Sequence, residues 1–172
     1  MERVYSGINP LLVECTNYKI GKYIVRWDVK EEQQANDGME SQSKVASFYQ
    51  QEFLHKPTIE EVKSLITSWY DDQITARIVE GFVYDGLSVW LSNENQLNYK
   101  VAYDMAVQSD GANLPVTFKF YDNNGPMYRT FNTLSEITDF YTKMTSYIQQ
   151  CLIDGWQEKD RIDWSPYEAA LV

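Results

Sequence analysis

The stretch that decides the fold is Gly81–Tyr99, GFVYDGLSVWLSNENQLNY. Asp85-Gly86 sits between two aromatic-rich apolar runs. A two-residue Asp-Gly turn suits the type I′ geometry, because both central positions need positive φ. Such a turn pairs Tyr84 with Leu87 and Phe82 with Val89. Those four side chains then share one face of a hairpin, while Val83, Ser88 and Trp90 share the other. Gly81 reads as a left-handed terminator of a preceding helix. Ser92 reads as the cap of a following one, with Asn93, Glu94 and Asn95 in its first turn. The polar cluster 92–96 therefore has a local explanation as a helix start.

Working outward, two further helix starts are marked by capping boxes. Thr58-Ile59-Glu60-Glu61 and Thr133-Leu134-Ser135-Glu136 each place a hydroxyl and a carboxylate where they satisfy free backbone N–H groups. Behind the first, Ile59, Val62, Ile66 and Trp69 recur at helical spacing, and the helix is expected to reach about Val79. Behind Ser92 the apolar stripe is Leu97, Val101, Ala102, Met105 and Ala106, with Ser109-Asp110-Gly111 as the stop. Behind Thr133 come Ile137, Phe140, Tyr141, Met144, Tyr147, Ile148, Cys151 and Leu152, and Gly155 is the expected stop. A second hairpin joins Val116–Tyr121 to Met127–Phe131 through a turn at 122–126. Its Val116, Phe118 and Phe120 alternate with Thr117, Lys119 and Tyr121, the pattern of a half-buried strand.

The N-terminal third has a different rhythm. In 23–30, YIVRWDVK, Tyr23, Val25, Trp27 and Val29 share one face of a strand, and 44–54 is strand-like again. The polar stretch between them, about 31–43, reads as a mobile loop. Residues 1–18 are too irregular to assign. After Gly155 a short tail follows, whose Trp156, Ile162 and Trp164 can fold back on the body.

Composition bounds the function more than it names one. The formal net charge is −10, with 15 basic residues against 25 acidic ones and no basic run. Phosphate backbones and anionic membrane surfaces are held by clustered Lys and Arg, so neither nucleic acid nor membrane is an expected partner. No apolar run approaches the ~20 residues a membrane-spanning helix needs, and the first residues lack the pattern of a secretory signal. Cys15, Cys151 and His55 are too few for a zinc site, and both cysteines read as ordinary reduced thiols. There is no nucleophile elbow, phosphate loop, dinucleotide fingerprint or zinc-protease motif. The adjacent acid pairs, such as Glu60-Glu61 and Asp71-Asp72, do not define carboxylates held across a cleft. The turn at 122–125 lacks calcium-loop spacing. No catalytic residue, cofactor or metal is expected, and the chain reads as non-enzymatic.

The segments KPTIEEVKSLI, GFVYDGLSVWLSNENQLNYKVAYDMAV, LPVTFKF, TFNTLSEITDFYTKMTSYIQQCLIDGW and KDRIDW, spread over 56–164, resemble an uncharacterised family of phage and prophage proteins of gut Bacteroidales. They are also distantly similar to the C-terminal domain associated with phage tail-fibre assembly proteins, which has a related order of hairpin, helix, hairpin and long helix. The resemblance implies a bacteriophage structural or assembly protein: a virion capsid or tail-fibre component, or an accessory to fibre assembly. It implies other phage proteins as partners, with self-association open, and a place in the virion or the host cytoplasm. It carries no catalytic residues. The alternatives are a small anti-defence protein that binds a host factor, and an enzyme of unknown class.

The expected architecture is α+β. Residues 57–172 should form a domain of two hairpins and three helices, an antiparallel sheet with helices on one face. Residues 1–56 should form a β-rich module that continues that sheet or docks on a partner. Trp27, Trp90 and Tyr128 are the candidate exposed contact aromatics, because a ring with a polar tip anchors interfaces.

Overall fold

The computed structural model describes residues 2–7, 9–34 and 43–172. The fold is α+β, with two antiparallel sheets of four strands each. In chain order the elements are β1 (Val4–Ser6), β2 (Val13–Asn17), β3 (Lys22–Gln34), β4 (Ser43–Phe53), α1 (Ile59–Glu80), β5 (Val83–Tyr84), β6 (Leu87–Ser88), α2 (Asn93–Gln108), β7 (Val116–Asp122), β8 (Gly125–Phe131), α3 (Leu134–Asp160) and α4 (Ser165–Leu171). They fall into two compact units, 1–68 with 162–172, and 69–161.

The first unit is built on the sheet β1-β4-β3-β2. The irregular N-terminal segment supplies two of its strands. The ends of the stretch expected as a loop are strand: Glu31–Gln34 and Ser43 are paired, Glu31 opposite Ala46 and Gln34 opposite Ser43. Residues 35–42 lie outside the described residues. A bulge interrupts β3, where Asp28 takes a φ of 50° and the register shifts between Trp27 and Lys30. One extra residue reverses the alternation beyond it. Val25 and Trp27 are therefore buried while Val29 leaves their face. Arg3 ties the bulge down. Its guanidinium donates to the Asp28 carboxylate at 2.7 Å and to the hydroxyl of Ser47 at 2.9 Å. The Ser47 hydroxyl in turn donates to Glu32 at 2.5 Å. The C-terminal segment belongs to this unit. Tyr167 of α4 is buried, and its hydroxyl donates to the Arg26 carbonyl at 2.9 Å. The first half of α1 joins it through buried Val62 and Ile66, with Lys63 paired to Glu168 at 2.8 Å. The compact units thus divide the chain differently from the expected boundary at 56/57, because α1 contributes to both units and the C-terminal segment packs with the N-terminal strands.

The second unit is a sheet β5-β6-β7-β8 with α2 and α3 on its inner face. The Asp85-Gly86 turn is as read, with both residues at positive φ and Tyr84 opposite Leu87. Its core is aromatic. Phe140 of α3 lies 5.5 Å from Phe120 and 5.2 Å from Phe131, ring centre to ring centre, and Tyr99 of α2 lies 4.7 Å from Phe118. The capping boxes form as the sequence implies. Glu136 accepts from the Thr133 backbone N–H at 3.1 Å while the Thr133 hydroxyl accepts from Glu136 at 3.2 Å.

Both glycines expected as helix stops do something else. Gly81 does not adopt positive φ. It follows α1 where the Tyr147 hydroxyl donates to the Arg77 carbonyl at 2.6 Å, and a Cβ there would overlap that hydroxyl. Gly155 lies inside α3, which runs on to Asp160, and a Cβ on it would overlap the side chain of Ile74. It is a close-packing glycine between α1 and α3, not a terminator. The expected tail is therefore more helix, then α4. The α2 stripe is also corrected: Ala106 is buried, but the inward anchor is Tyr99, while Leu97, Val101 and Met105 face solvent.

A candidate functional site on the open sheet face

The second sheet is covered by helices on one side only, so its alternation fixes a free outer face. The cross-strand pairs that define it are Val83 with Ser88, Ser88 with Tyr121, and Lys119 with Tyr128. Trp90 lies two residues beyond Ser88, on the same side. Its backbone is fixed from both directions: its carbonyl accepts from the Asn95 side chain at 2.8 Å, and the next residue, Leu91, donates to the Val79 carbonyl at 2.9 Å. The first turn of α2 therefore fixes the backbone that carries the Trp90 ring.

Around that ring is an open cleft of about 300 Å3, lined by Asn95, Asn98, Thr117, Lys119 and Tyr121 as well as Trp90. Tyr99 reaches its floor, and burial pushes its phenol up to about 12. Lys119 lies 5.5 Å from the Tyr121 ring centre and directly opposite Tyr128. The Thr117 and Thr130 hydroxyls meet at 2.9 Å across the same face. Three large rings, Trp90, Tyr121 and Tyr128, thus share one face with Lys119, two of them on paired strands and Trp90 just beyond one. Each ring keeps a polar tip and has few rotamers to lose, which suits an interface.

Of the three aromatics singled out from sequence, the structure brings two together. Trp90 is 47% exposed and Tyr128 72%, on one face, either side of Lys119. Trp27 is corrected: it is 1% exposed, stacked on Tyr49 with ring centres 6.3 Å apart, and belongs to the first unit. Its strand is covered there, so it presents no contact surface. Sequence reasoning placed Val83 with Trp90, and Lys119 with Tyr121, on the outer faces of their hairpins, but did not join the two faces. The signal was present in the alternation of β7, but the pairing of β6 with β7 is a long-range contact that alternation does not supply.

The titratable groups elsewhere have structural explanations. His55 meets Glu61 at 3.0 Å beside the cap of α1. Backbone and His55 hydrogen bonds hold the Glu61 carboxyl below its usual range. The Lys143 ammonium and the Tyr84 hydroxyl do the same for Asp139, and burial pushes the Tyr84 phenol to about 12. Asp122 accepts from Asn124 at 2.7 Å and Gly125 at 3.0 Å, which makes 122–125 a tight turn. Among the described residues, no three His, Cys, Asp or Glu side chains are grouped to hold a metal ion, and no helix is long and apolar enough to cross a membrane.

Residues 58–171 match the family described as a domain of unknown function (DUF4376), and the chain belongs to that family. No curated protein and no solved structure matches the chain. The matched span contains the whole open sheet face and the helices α1 to α4.

Proposed function

We propose that this member of the DUF4376 family is a non-enzymatic bacteriophage structural or assembly protein that works by protein–protein contact, as a capsid or tail-fibre component or as an accessory to fibre assembly. The contact mode is supported by one observation: Trp90, Tyr121 and Tyr128 stand exposed together on the uncovered face of a sheet whose other face is packed. Aromatic rings that cost little entropy to immobilise are typical interface anchors, and a strand pair beneath them keeps them in register. The phage setting rests on the resemblance of 56–164, and with it the virion or host cytoplasm as the place of action.

The test has two arms. Mass spectrometry of purified virions, or co-purification with a capsid or fibre protein, should find the chain in phage particles or their assembly intermediates. A photo-crosslinking residue at Tyr128 should then join it to that phage protein, and Trp90→Ala with Tyr121→Ala in the same chain should abolish the adduct. Absence from virions and from capsid or fibre complexes under gentle purification would overturn the phage role. A crosslink to a host defence protein from a gene expressed early would replace it with host interaction.

A further inference from the structure

The cleft beside Trp90 is a gap in the second sheet. Opposite residues of an antiparallel pair alternate between those that exchange both main-chain hydrogen bonds and those that exchange neither. Tyr121 lies opposite Pro126, and proline has no N–H to exchange. That pair is of the second kind, and so, by alternation, are Lys119 with Tyr128 and Thr117 with Thr130. The N–H and C=O groups of Thr117, Lys119 and Tyr121 therefore point away from β8, toward β6. Tyr121 meets Ser88 there. β6 ends at Ser88, and the chain beyond it is held on its other side: Val89 donates to the Phe82 carbonyl and Leu91 to the Val79 carbonyl, both at 2.9 Å. Among the described residues, no strand pairs with Lys119 and Thr117 on this side.

Those two residues line the cleft together with Trp90, Asn95 and Asn98. A second observation points into the same space. Tyr99 lines the cleft and is only 4% exposed, yet its hydroxyl has no hydrogen-bond partner among the described residues. A nearly buried hydroxyl left unpaired is costly, and a phenol that stays protonated is a ready donor. What the cleft can take is defined by what faces it. Thr117 and Lys119 each offer a donor and an acceptor side by side, and the two sets repeat about 7 Å apart, at every second residue of a strand. A compact small molecule meets one such set; an extended main chain meets both. We propose that this cleft takes a short extended segment of the partner protein, which adds to β7 as a strand beside Thr117 and Lys119. The proposal rests on the reading of this face as a protein-contact surface and names what the partner offers there.

A library of random linear heptapeptides, displayed and selected on the full chain, should yield binders. In the free chain, hydrogen exchange read by NMR should be fast at the Thr117 and Lys119 amides and slow at those of Phe118 and Phe120, which face β8. A bound peptide should slow Thr117 and Lys119 at least about tenfold. Lys119→Pro removes the open-side N–H and none of the bonds to β8, a position where a strand tolerates proline. It should bind the peptide at least about tenfold more weakly than Lys119→Ala, with an unchanged circular dichroism spectrum. Thr117→Pro against Thr117→Ala is the second pair should the first not fold. Tyr99→Phe should weaken binding about threefold or more. No binder in the library, protection gained instead at Tyr128 and Thr130 on the outer edge of β8, or a folded Lys119→Pro chain that binds like Lys119→Ala overturns the proposal. A Tyr128 crosslink to a phage protein that survives Lys119→Pro also overturns strand pairing, while the sheet face stands as a contact surface, so the two failures separate.

Discussion

The two sheets are alike in strand number and opposite in their use of tryptophan. In the first, Trp27 projects from a long central strand and is covered. In the second, Trp90 projects just past a two-residue strand and is left open. Both lie in strand-like, alternating sequence. What differs is the covering: the aromatic core between the second sheet and its helices occupies one face and leaves the other bare, whereas the face that carries Trp27 is covered. Exposure of an aromatic is therefore a property of the layer above it, not of the strand that bears it.

Removing each ring is the strongest test of that contrast. Trp27→Ala should lower unfolding stability by about 3–5 kcal/mol, the range for a large buried aromatic. Trp90→Ala should change it by less than about 0.5 kcal/mol, as surface changes do. Denaturant unfolding followed by circular dichroism gives both numbers. Equal losses would erase the distinction. Next in size is Gly155→Ala. Alanine gains helix propensity of up to ~1 kcal/mol over glycine, but its methyl overlaps Ile74 in a packed interface, where overpacking costs about 1–3 kcal/mol. The net effect should be destabilising. Pairing it with Ile74→Ala should show a favourable coupling in a double-mutant cycle, since the smaller side chain makes room. If Gly155→Ala alone stabilises the chain, the contact is slack.

These cases also mark how much was legible. The capping boxes at Thr58 and Thr133, the Asp85-Gly86 turn, the alternation of β7 and the α3 stripe were readable because each is decided within a few residues. So was the α+β class, from hairpins alternating with helices. Gly81 and Gly155 were read as stops because glycine after an apolar stripe often is one. Their actual constraints are Tyr147 and Ile74, which only the fold brings near. The same limit hid the bulge at Asp28 and the outward turn of Leu97, Val101 and Met105: an apolar stripe shows that a helix has a face, not which neighbour claims it. For the candidate site, the solvent face of each hairpin was legible. The joining of those faces through Ser88 and Tyr121 was not.

The bulge in the first sheet offers a smaller test. Ser47 is fully buried, and its hydroxyl bridges Arg3 and Glu32. Arg3→Ala removes one partner and the ion pair to Asp28, so it should cost about 1–3 kcal/mol in the first unit. Hydrogen exchange should quicken in β1, β3 and β4 and stay unchanged in β7 and β8. A uniform loss of protection would mean that the network supports more than the sheet it sits in.

The smallest effect comes from a feature the two units share, one capping carboxylate each. Backbone N–H donors, from Thr58 at the first helix and from Asn132 and Thr133 at the other, hold Glu61 and Glu136 below the ordinary 4.5. A folded-state pKa below the unfolded one means that the native state binds fewer protons. The contribution is then complete above the unfolded pKa, near neutral pH, and disappears as pH falls through the lowered folded value. Stability should therefore decline on acidification below about pH 4.5. Glu61→Gln should flatten that decline in the exchange protection of α1, and Glu136→Gln should flatten it in α3. Each glutamine still accepts a backbone hydrogen bond, so neutral-pH stability should change far less than the acid slope. Thr133→Ala, by contrast, should cost about 1 kcal/mol at every pH, because a hydroxyl cap does not titrate. If Glu136→Gln leaves the acid slope of α3 as steep as before, its carboxylate is not the group that proton binding releases.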